Sequence, residues 1–298
     1  MIRIAPDVAE ALDAGRPVVA LESTVIAHGL PRPRNLEVGR ALEAEVRAGG
    51  AVPATIGVVA GVPTVGLSEG EIDRLGTADG VGKLSTRDLA VPAARGLDGA
   101  TTVAATMWLA DDAGLSFFAT GGIGGVHRGD ARDVSADLAE LGRTRMMVVC
   151  AGAKSILDLH ATREALETNG VLIAGYGTDE LPAFYSRESG LSVDVRVDGP
   201  EEAAALWSAH EEMGLPGAIL LCVPPRVESA IPAEEMERVI AEALAEAERQ
   251  GVRGKEVTPF LLTAVARRTE GRSLEANVAL LRNNARVAAR VAAAYAAR

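Results

Sequence analysis

Cysteine is nearly absent from this sequence, aromatic residues are scarce, basic residues are outnumbered, and no apolar run is long enough to span a membrane. Each shortage excludes a class of protein. Only Cys150 and Cys222 occur, each beside an apolar strand-like run, with no CxxC or Cys/His cluster. A disulfide scaffold and a thiolate metal centre are therefore excluded, and two reduced, buried thiols are expected. Aromatics make up 3% of the residues and no Lys/Arg cluster interleaves with them, so the stacking and cationic surface that grips nucleic-acid polymers is missing. No uninterrupted apolar run approaches about 18 residues. Met1 to Gly15 carries Asp7, Glu10 and Asp13 in place of the apolar core of a signal peptide,. The 30 Lys and Arg against 41 Asp and Glu give a net charge of −11, which disfavours anionic membranes as well. A small anionic substrate would need a local basic pocket set against that field. The expectation is a soluble, cytoplasmic protein with no nucleic-acid polymer and no membrane as partner.

What is present is a chain of 298 residues, 48% of them hydrophobic, enough to bury one large core. Short apolar runs alternate with stretches of helical period, the pattern of an α/β fold with a largely parallel sheet. Strands are predicted at 18–21, 55–59, 64–67, 116–119, 146–150, 171–175, 193–197 and 218–223. A helical period over 35–48 stops at Gly49-Gly50, Ser68 and Glu71 form a capping box, and Pro200 opens a helix that runs through Met213,. The carboxyl-terminal third differs: 231–250, 258–269 and 273–297 read as three consecutive helices, the second opened by Thr258-Pro259, forming a cap or an oligomer-forming layer,. No repeat or long linker divides the chain, so one continuous domain over 1–298 is expected.

Several segments could carry chemistry. Val18-Val19-Ala20-Leu21 runs directly into Glu22, where a parallel strand would deliver the carboxyl to the edge at which α/β proteins bind ligands. Partly desolvated, it would suit proton donation; a capping carboxylate is the plainer alternative. The strand 116–119 leads into the glycine-rich run 121–129, which includes His127 and Arg128. Such a backbone can turn its N–H groups inward as an anion nest, although the Rossmann spacing fails. Asp133 and Asp137 flank Ser135, suiting a hard divalent cation such as Mg²⁺ or Mn²⁺, or simply a helix start. Met146 to Lys154 is an apolar strand passing through a small-residue turn to a lysine, with Ser155 and Asp158 resembling a helix cap. A lysine at the positive end of a helix dipole between apolar walls is disfavoured as an ammonium, which frees the amine as a nucleophile. A phosphate-binding or surface lysine is the alternative. Gly80 to Arg87 combines cations, hydroxyls and two glycines, a phosphate cradle or a solvated loop. Asn283 and Asn284 interrupt an Ala/Val/Arg helix, facing either a polar partner or a neighbouring helix.

Taken together, ALESTVIAHGLPRPRN, GVGKLSTRDL, ATGGIGGVHRG, DVSADL, CAGAKSILDL, GKEVTPFLL and NNA resemble, in wording and order, the pseudouridine-5′-phosphate glycosidase family, also called indigoidine synthase A-like. The resemblance runs from about Pro17 to about Tyr295. It implies a three-layer α/β/α sandwich around a largely parallel, mixed sheet, assembled as a homotrimer. It further implies that Glu22 is the proton donor, Lys154 the covalent nucleophile, and Asp133 the ligand of one Mn²⁺ per subunit. Lys83, Val103 and Ser135, Ala136 and Asp137 match substrate-contact positions, with Thr120, His127 and one of Asn283 and Asn284 as further pocket residues.

The activity implied is cleavage of pseudouridine 5′-phosphate to uracil and ribose 5-phosphate, a lyase-type C-glycosidase reaction that is reversible and passes through a lysine Schiff base. A C-glycosidic bond offers no nitrogen or oxygen leaving atom to protonate, so a carboxylate pair alone would not suffice. Two other readings stay open on the residues: a metal-dependent nucleoside or sugar-phosphate hydrolase using Asp133 and Asp137, and a non-catalytic sugar-phosphate-binding protein.

Overall fold

Valine, isoleucine and leucine gather into short uninterrupted runs in this chain, and those runs become buried strands of one mostly parallel sheet. The computed structural model describes residues 2–129, 132–252 and 257–298. Its strands, in chain order, are β1 (Arg3–Ile4), β2 (Val18–Glu22), β3 (Val52–Val59), β4 (Val62–Val65), β5 (Gly82–Leu84), β6 (Gly99–Thr101), β7 (Phe117–Ala119), β8 (Val126–His127), β9 (Met147–Cys150), β10 (Leu157–Asp158), β11 (Leu172–Tyr176), β12 (Val195–Val197) and β13 (Ile219–Cys222). Its helices are α1 (Pro6–Asp13), α2 (Arg34–Ala48), α3 (Glu69–Thr77), α4 (Ala90–Arg95), α5 (Val103–Asp112), α6 (Ala136–Leu141), α7 (Leu159–Thr168), α8 (Pro200–Glu212), α9 (Ala233–Arg249), α10 (Val257–Arg268) and α11 (Arg272–Ala296).

Among the described residues the main sheet has eleven strands, with β1, β4, β3, β2, β7, β9, β13, β11 and β12 side by side and β6 and β5 branching from β3. The β2, β7, β9, β13 and β11 neighbours are all parallel; β3 pairs antiparallel with β4 and β6. β8 and β10 form a separate antiparallel pair. All eight expected strands exist, within a few residues of the expected ends. The expected capping box at Ser68 and Glu71 opens α3.

Helices cover both faces. α11 lies against β2, β7 and β9 with α2 and α8 beside it, while α5 packs on β2 and β3 and is followed by α6 and α7. The carboxyl-terminal third was expected as an outer cap or oligomer layer, and α11 departs from that. Its Leu280, Leu281, Val287, Ala288, Ala289 and Val291 are all buried, so it is an inner layer of the sandwich. Alanine is what lets it come close: a Cβ at Gly49, at the end of α2, would fall 2.5 Å from the Ala289 Cβ. α9 and α10 pack on each other outside it. α10 starts at Val257, one residue ahead of the expected cap at Thr258, and Gly254, Lys255 and Glu256 of the GKEVTPFLL segment lie outside the described residues.

Cys150 and Cys222 are free, buried and paired in register across β9 and β13. The Cys150 hydrogen bond and burial both push the Cys222 thiol up from its ordinary value. Among the described residues no helix is long and apolar enough to cross a membrane.

Candidate active site

Three adjacent parallel strands, β2, β7 and β9, end at the same edge of the sheet. Glu22 is the last residue of β2, Thr120 follows β7 and Lys154 follows β9 by a short turn. That turn depends on Gly152, whose φ is +83°; a Cβ there would sit 2.2 Å from the Pro182 carbonyl oxygen,. The Lys154 N–H donates to the Ile123 carbonyl (3.1 Å), and the Ile123 N–H donates to that of Gly152 (3.1 Å). The lysine turn is thus laced to the glycine-rich run beside it. Beyond the edge lies a cavity of about 410 Å³ that Glu22, Lys83, Val103, His127, Asp133, Ser135, Ala136, Asp137 and Lys154 all line. Nine of the site residues expected from sequence, distant in the chain, therefore share one space.

Glu22 is buried. Its two carboxyl oxygens accept hydrogen bonds from the Thr24 and Thr120 hydroxyls, one each. Thr120 is in turn fixed from α11: the Asn284 amide donates to the carbonyls of Thr120 (2.8 Å) and Gly121 (3.3 Å). Thr120 and Asn284 therefore stand directly behind the cavity and orient its carboxyl; neither lines it. Asn283 faces elsewhere, its carbonyl oxygen meeting the Arg226 guanidinium at 3.4 Å.

Lys154 is half-buried, and among the described residues no ion pair or side-chain hydrogen bond engages its amine. The helix start expected at Ser155 lies further on. α7 begins at Leu159 and is capped by Asp158, which accepts from the Ala161 N–H at 2.9 Å. The chain first crosses to pair as β10 with β8, so Lys154 sits in a turn stabilised by strand pairing and not on the helix dipole.

Asp137 changes the reading of both the glycine run and the metal pair. One of its oxygens accepts the Ala104 N–H (3.0 Å) at the start of α5, the other the Gly124 N–H (2.8 Å). The anion that the glycine backbone cradles is thus the protein's own carboxylate, which also caps a helix. Asp133 remains an exposed carboxylate at the cavity wall, and its carbonyl accepts from the His127 N–H at 2.9 Å. Among the described residues no group of three or more His, Cys, Asp or Glu gathers as a metal cluster. The donor set still fits a divalent cation that keeps most of its water, held by one carboxylate. It does not fit a dehydrated ion bridged between Asp133 and Asp137. Residues 130 and 131 of the intervening loop lie outside the described residues.

The lining also includes residues that the sequence reading did not single out, His28, Thr102 and Asn277, beside Ser85 and Arg87 of the loop read as a phosphate cradle. His28 sits on the single π-helical turn Val25–Gly29 after Thr24. Arg87 and Ser85 extend the loop of Lys83, and Thr102 precedes α5; Asn277 reaches the cavity from α11. Lys83, Arg87 and Lys154 make the local cationic patch that an anionic ligand requires in a chain of net charge −11. The Ser85 and Thr102 hydroxyls are buried without a hydrogen-bond partner, so the site's own polar atoms are incomplete beside those cations. Phe184, with a left-handed backbone at φ 62°, closes the apolar side; a Cβ at Gly122 would meet its ring at 2.6 Å.

The sequence profile described as indigoidine synthase A like protein matches residues 7–294. The chain is 59% identical over 293 residues to a protein of Herpetosiphon aurantiacus named pseudouridine-5′-phosphate glycosidase, covering 98% of this chain and 97% of the relative. It is 58% identical to the protein of that name from Chloroflexus aurantiacus, covering 98% of each. Among solved structures, the prealnumycin C-glycosynthase AlnA in complex with ribulose 5-phosphate superposes with a TM-score of 0.92 at 42% identity, covering 100% of this chain and 97% of that one. An indigoidine synthase A-like protein from Thermotoga maritima superposes with a TM-score of 0.90 at 38% identity, covering 98% and 96%.

Proposed function

The chain belongs to the indigoidine synthase A-like family and is an enzyme, and from that premise we propose that it cleaves pseudouridine 5′-phosphate to uracil and ribose 5-phosphate. The observation that carries this reading is one cavity that joins a buried, doubly hydrogen-bonded carboxyl, an amine without a partner among the described residues, and a cationic corner. The relatives' shared name and the sugar phosphate in the AlnA complex support it.

In the proposed mechanism Lys83 and Arg87, with the Ser85 and Thr102 hydroxyls, receive the phosphate. The neutral Lys154 amine adds to C1′; the C1′–O4′ bond breaks, and O4′ takes a proton as the ribose ring opens. Glu22, aimed by Thr24 and Thr120, gives its proton to C5 of uracil. The nitrogen lone pair then forms the C1′ iminium as the C1′–C5 bond breaks, and those electrons restore the C5–C6 double bond of uracil. Water adds to the iminium, a proton returns to Glu22, and the amine leaves as ribose 5-phosphate is released. Nitrogen is the electron sink that makes carbon–carbon scission feasible, and the same steps run backward unite the two products. A divalent cation at Asp133, Mn²⁺ in this proposal at one per subunit, would screen the charge of bound substrate.

A homotrimer in the cytoplasm completes the proposal. The test is incubation of purified protein with pseudouridine 5′-phosphate, before and after chelation and Mn²⁺ return. Uracil and ribose 5-phosphate identified by mass are expected, with turnover lost on chelation and restored by Mn²⁺. Hydrolysis of an N-glycoside or phosphate ester in preference would favour a hydrolase, and binding without turnover would favour a sugar-phosphate-binding protein.

A further inference from the structure

Arg128 lies outside every step above, yet four of its five N–H donors are engaged, two of them on carbonyls just after Lys154,. Its Nε donates to the Leu157 carbonyl (2.9 Å) and one terminal nitrogen to the Ser155 carbonyl (2.9 Å). The acceptors lie in the turn after Lys154 and at its end, where β10 begins. The outer side of the guanidinium meets Glu237 of α9 in a two-pronged ion pair, 2.7 Å on each arm. The pair shifts both partners: Glu237 holds the Arg128 guanidinium above its ordinary value, and Arg128 holds the Glu237 carboxyl below its own.

Arg32 is held in a similar way by the Gly76 and Ala78 carbonyls and Asp79, but its carboxylate contact is a single one at 3.5 Å, whereas Glu237 meets Arg128 on two arms. A planar guanidinium with one edge on two backbone carbonyls and the other on a carboxylate has its orientation fixed on both sides. The carbonyls it holds lie one and three residues after Lys154, where no helix begins; the turn is also closed by the Leu157 N–H donating to the Lys154 carbonyl (3.0 Å), by the Ile123 contact and by the short β8–β10 pairing. The Ser155 hydroxyl beside it is buried without a partner, so no side-chain cap shares the work.

We propose that Arg128 is a positioning residue that sets the aim of the Lys154 amine, and that Glu237 orients Arg128 from the far side. The proposal rests on Lys154 being the covalent nucleophile. Its consequence is that damage to either partner lowers the rate of bond formation at Lys154 while leaving the affinity for sugar phosphate intact, because neither side chain lines the cavity.

The experiment measures three quantities in the full chain: borohydride-trapped ribose 5-phosphate on Lys154, the dissociation constant for ribose 5-phosphate without borohydride, and the thermal melt. In wild type an adduct on the Lys154 peptide is expected. Arg128→Lys keeps the charge and loses the planar fork, so trapping should slow about 100-fold, the scale of a misplacement near 1 Å, with affinity unchanged within about twofold. Glu237→Gln keeps the shape and loses the charge, and trapping should slow about tenfold, the difference between a charged and a neutral hydrogen bond. Methylguanidinium should restore part of the rate to Arg128→Ala. Trapping at the wild-type rate in folded Arg128→Lys and Glu237→Gln overturns the positioning role, as does a loss matched only by a lower melting temperature and weaker binding. A wild-type enzyme that turns over substrate without an adduct at Lys154 overturns the covalent reading, a result distinct from either.

Discussion

Lys154 and Glu22 were legible in the sequence because Glu22 ends, and Lys154 follows by a short small-residue turn, an apolar run that has to be a buried strand, and a charged group at that place reaches the ligand edge of a parallel sheet,. The roles are separable by substitution. Lys154→Arg keeps a cation for phosphate and cannot offer a neutral amine near pH 7, so uracil release should fall by roughly three orders of magnitude or more, the scale of losing a positioned catalytic group. A Lys154→Arg enzyme with appreciable turnover, or a borohydride adduct on the Lys83 peptide instead, would sink the covalent mechanism. Other residues were illegible for identifiable reasons. Asn277 sits among apolar helical positions, and nothing local marks which side of α11 faces the cavity. Asp137 could be read as a cation ligand, a helix-start acid or, by resemblance, a substrate contact, because its partners in the fold, the Ala104 and Gly124 N–H groups, are backbone atoms supplied by distant segments.

At the level of elements, the runs at β2, β9, β11 and β13 declare themselves because strands buried on both faces need no polar alternation. Two- and three-residue pieces such as β5, β6, β8 and β10 carry too few side chains for any period to show, and they exist because partners are held beside them. For α11 the alanine-rich pattern marked close packing, which the structure shows, but a cap or oligomer-forming layer and an inner layer against the sheet share that composition, and only the neighbours decide. One neighbour is α2. Glu45 of α2 accepts hydrogen bonds from Arg282 (2.7 and 2.9 Å) and Arg286 (2.9 Å) of α11. Burial works to raise its pKa, but the two arginines outweigh it and hold the carboxyl below its usual value of 4.5. A depressed acid stabilises the fold above the unfolded value and loses that contribution as pH falls through the folded one. Glu45→Gln should therefore lower stability by about 1–2 kcal/mol at pH 7, since the arginines are partly exposed. The gap between the two melting curves should close as pH drops below 4.5. A gap that is constant with pH would mean that the charge contributes nothing.

For the whole molecule, the acidic surface and the basic cavity act together: the −11 net charge repels anions generally, while Lys83, Arg87 and Lys154 attract one at a single mouth. The proposed homotrimer predicts a solution mass of about three times the 30.8 kDa chain, measured by light scattering across a dilution series. A steady 30.8 kDa species with full turnover would remove assembly from the requirements of the site.

The bond from Asn284 to Thr120 ties together residues 164 positions apart. Seen from the ribosome, Glu22 and the strand that bears it are made early, yet the amide that steadies Thr120 is among the late arrivals, along with Asn277 and Leu281 of the cavity wall. A chain without α11 would lose both the amide that steadies Thr120 and the helix that covers β2, β7 and β9, so the site depends on a segment far in sequence from Glu22 and Lys154.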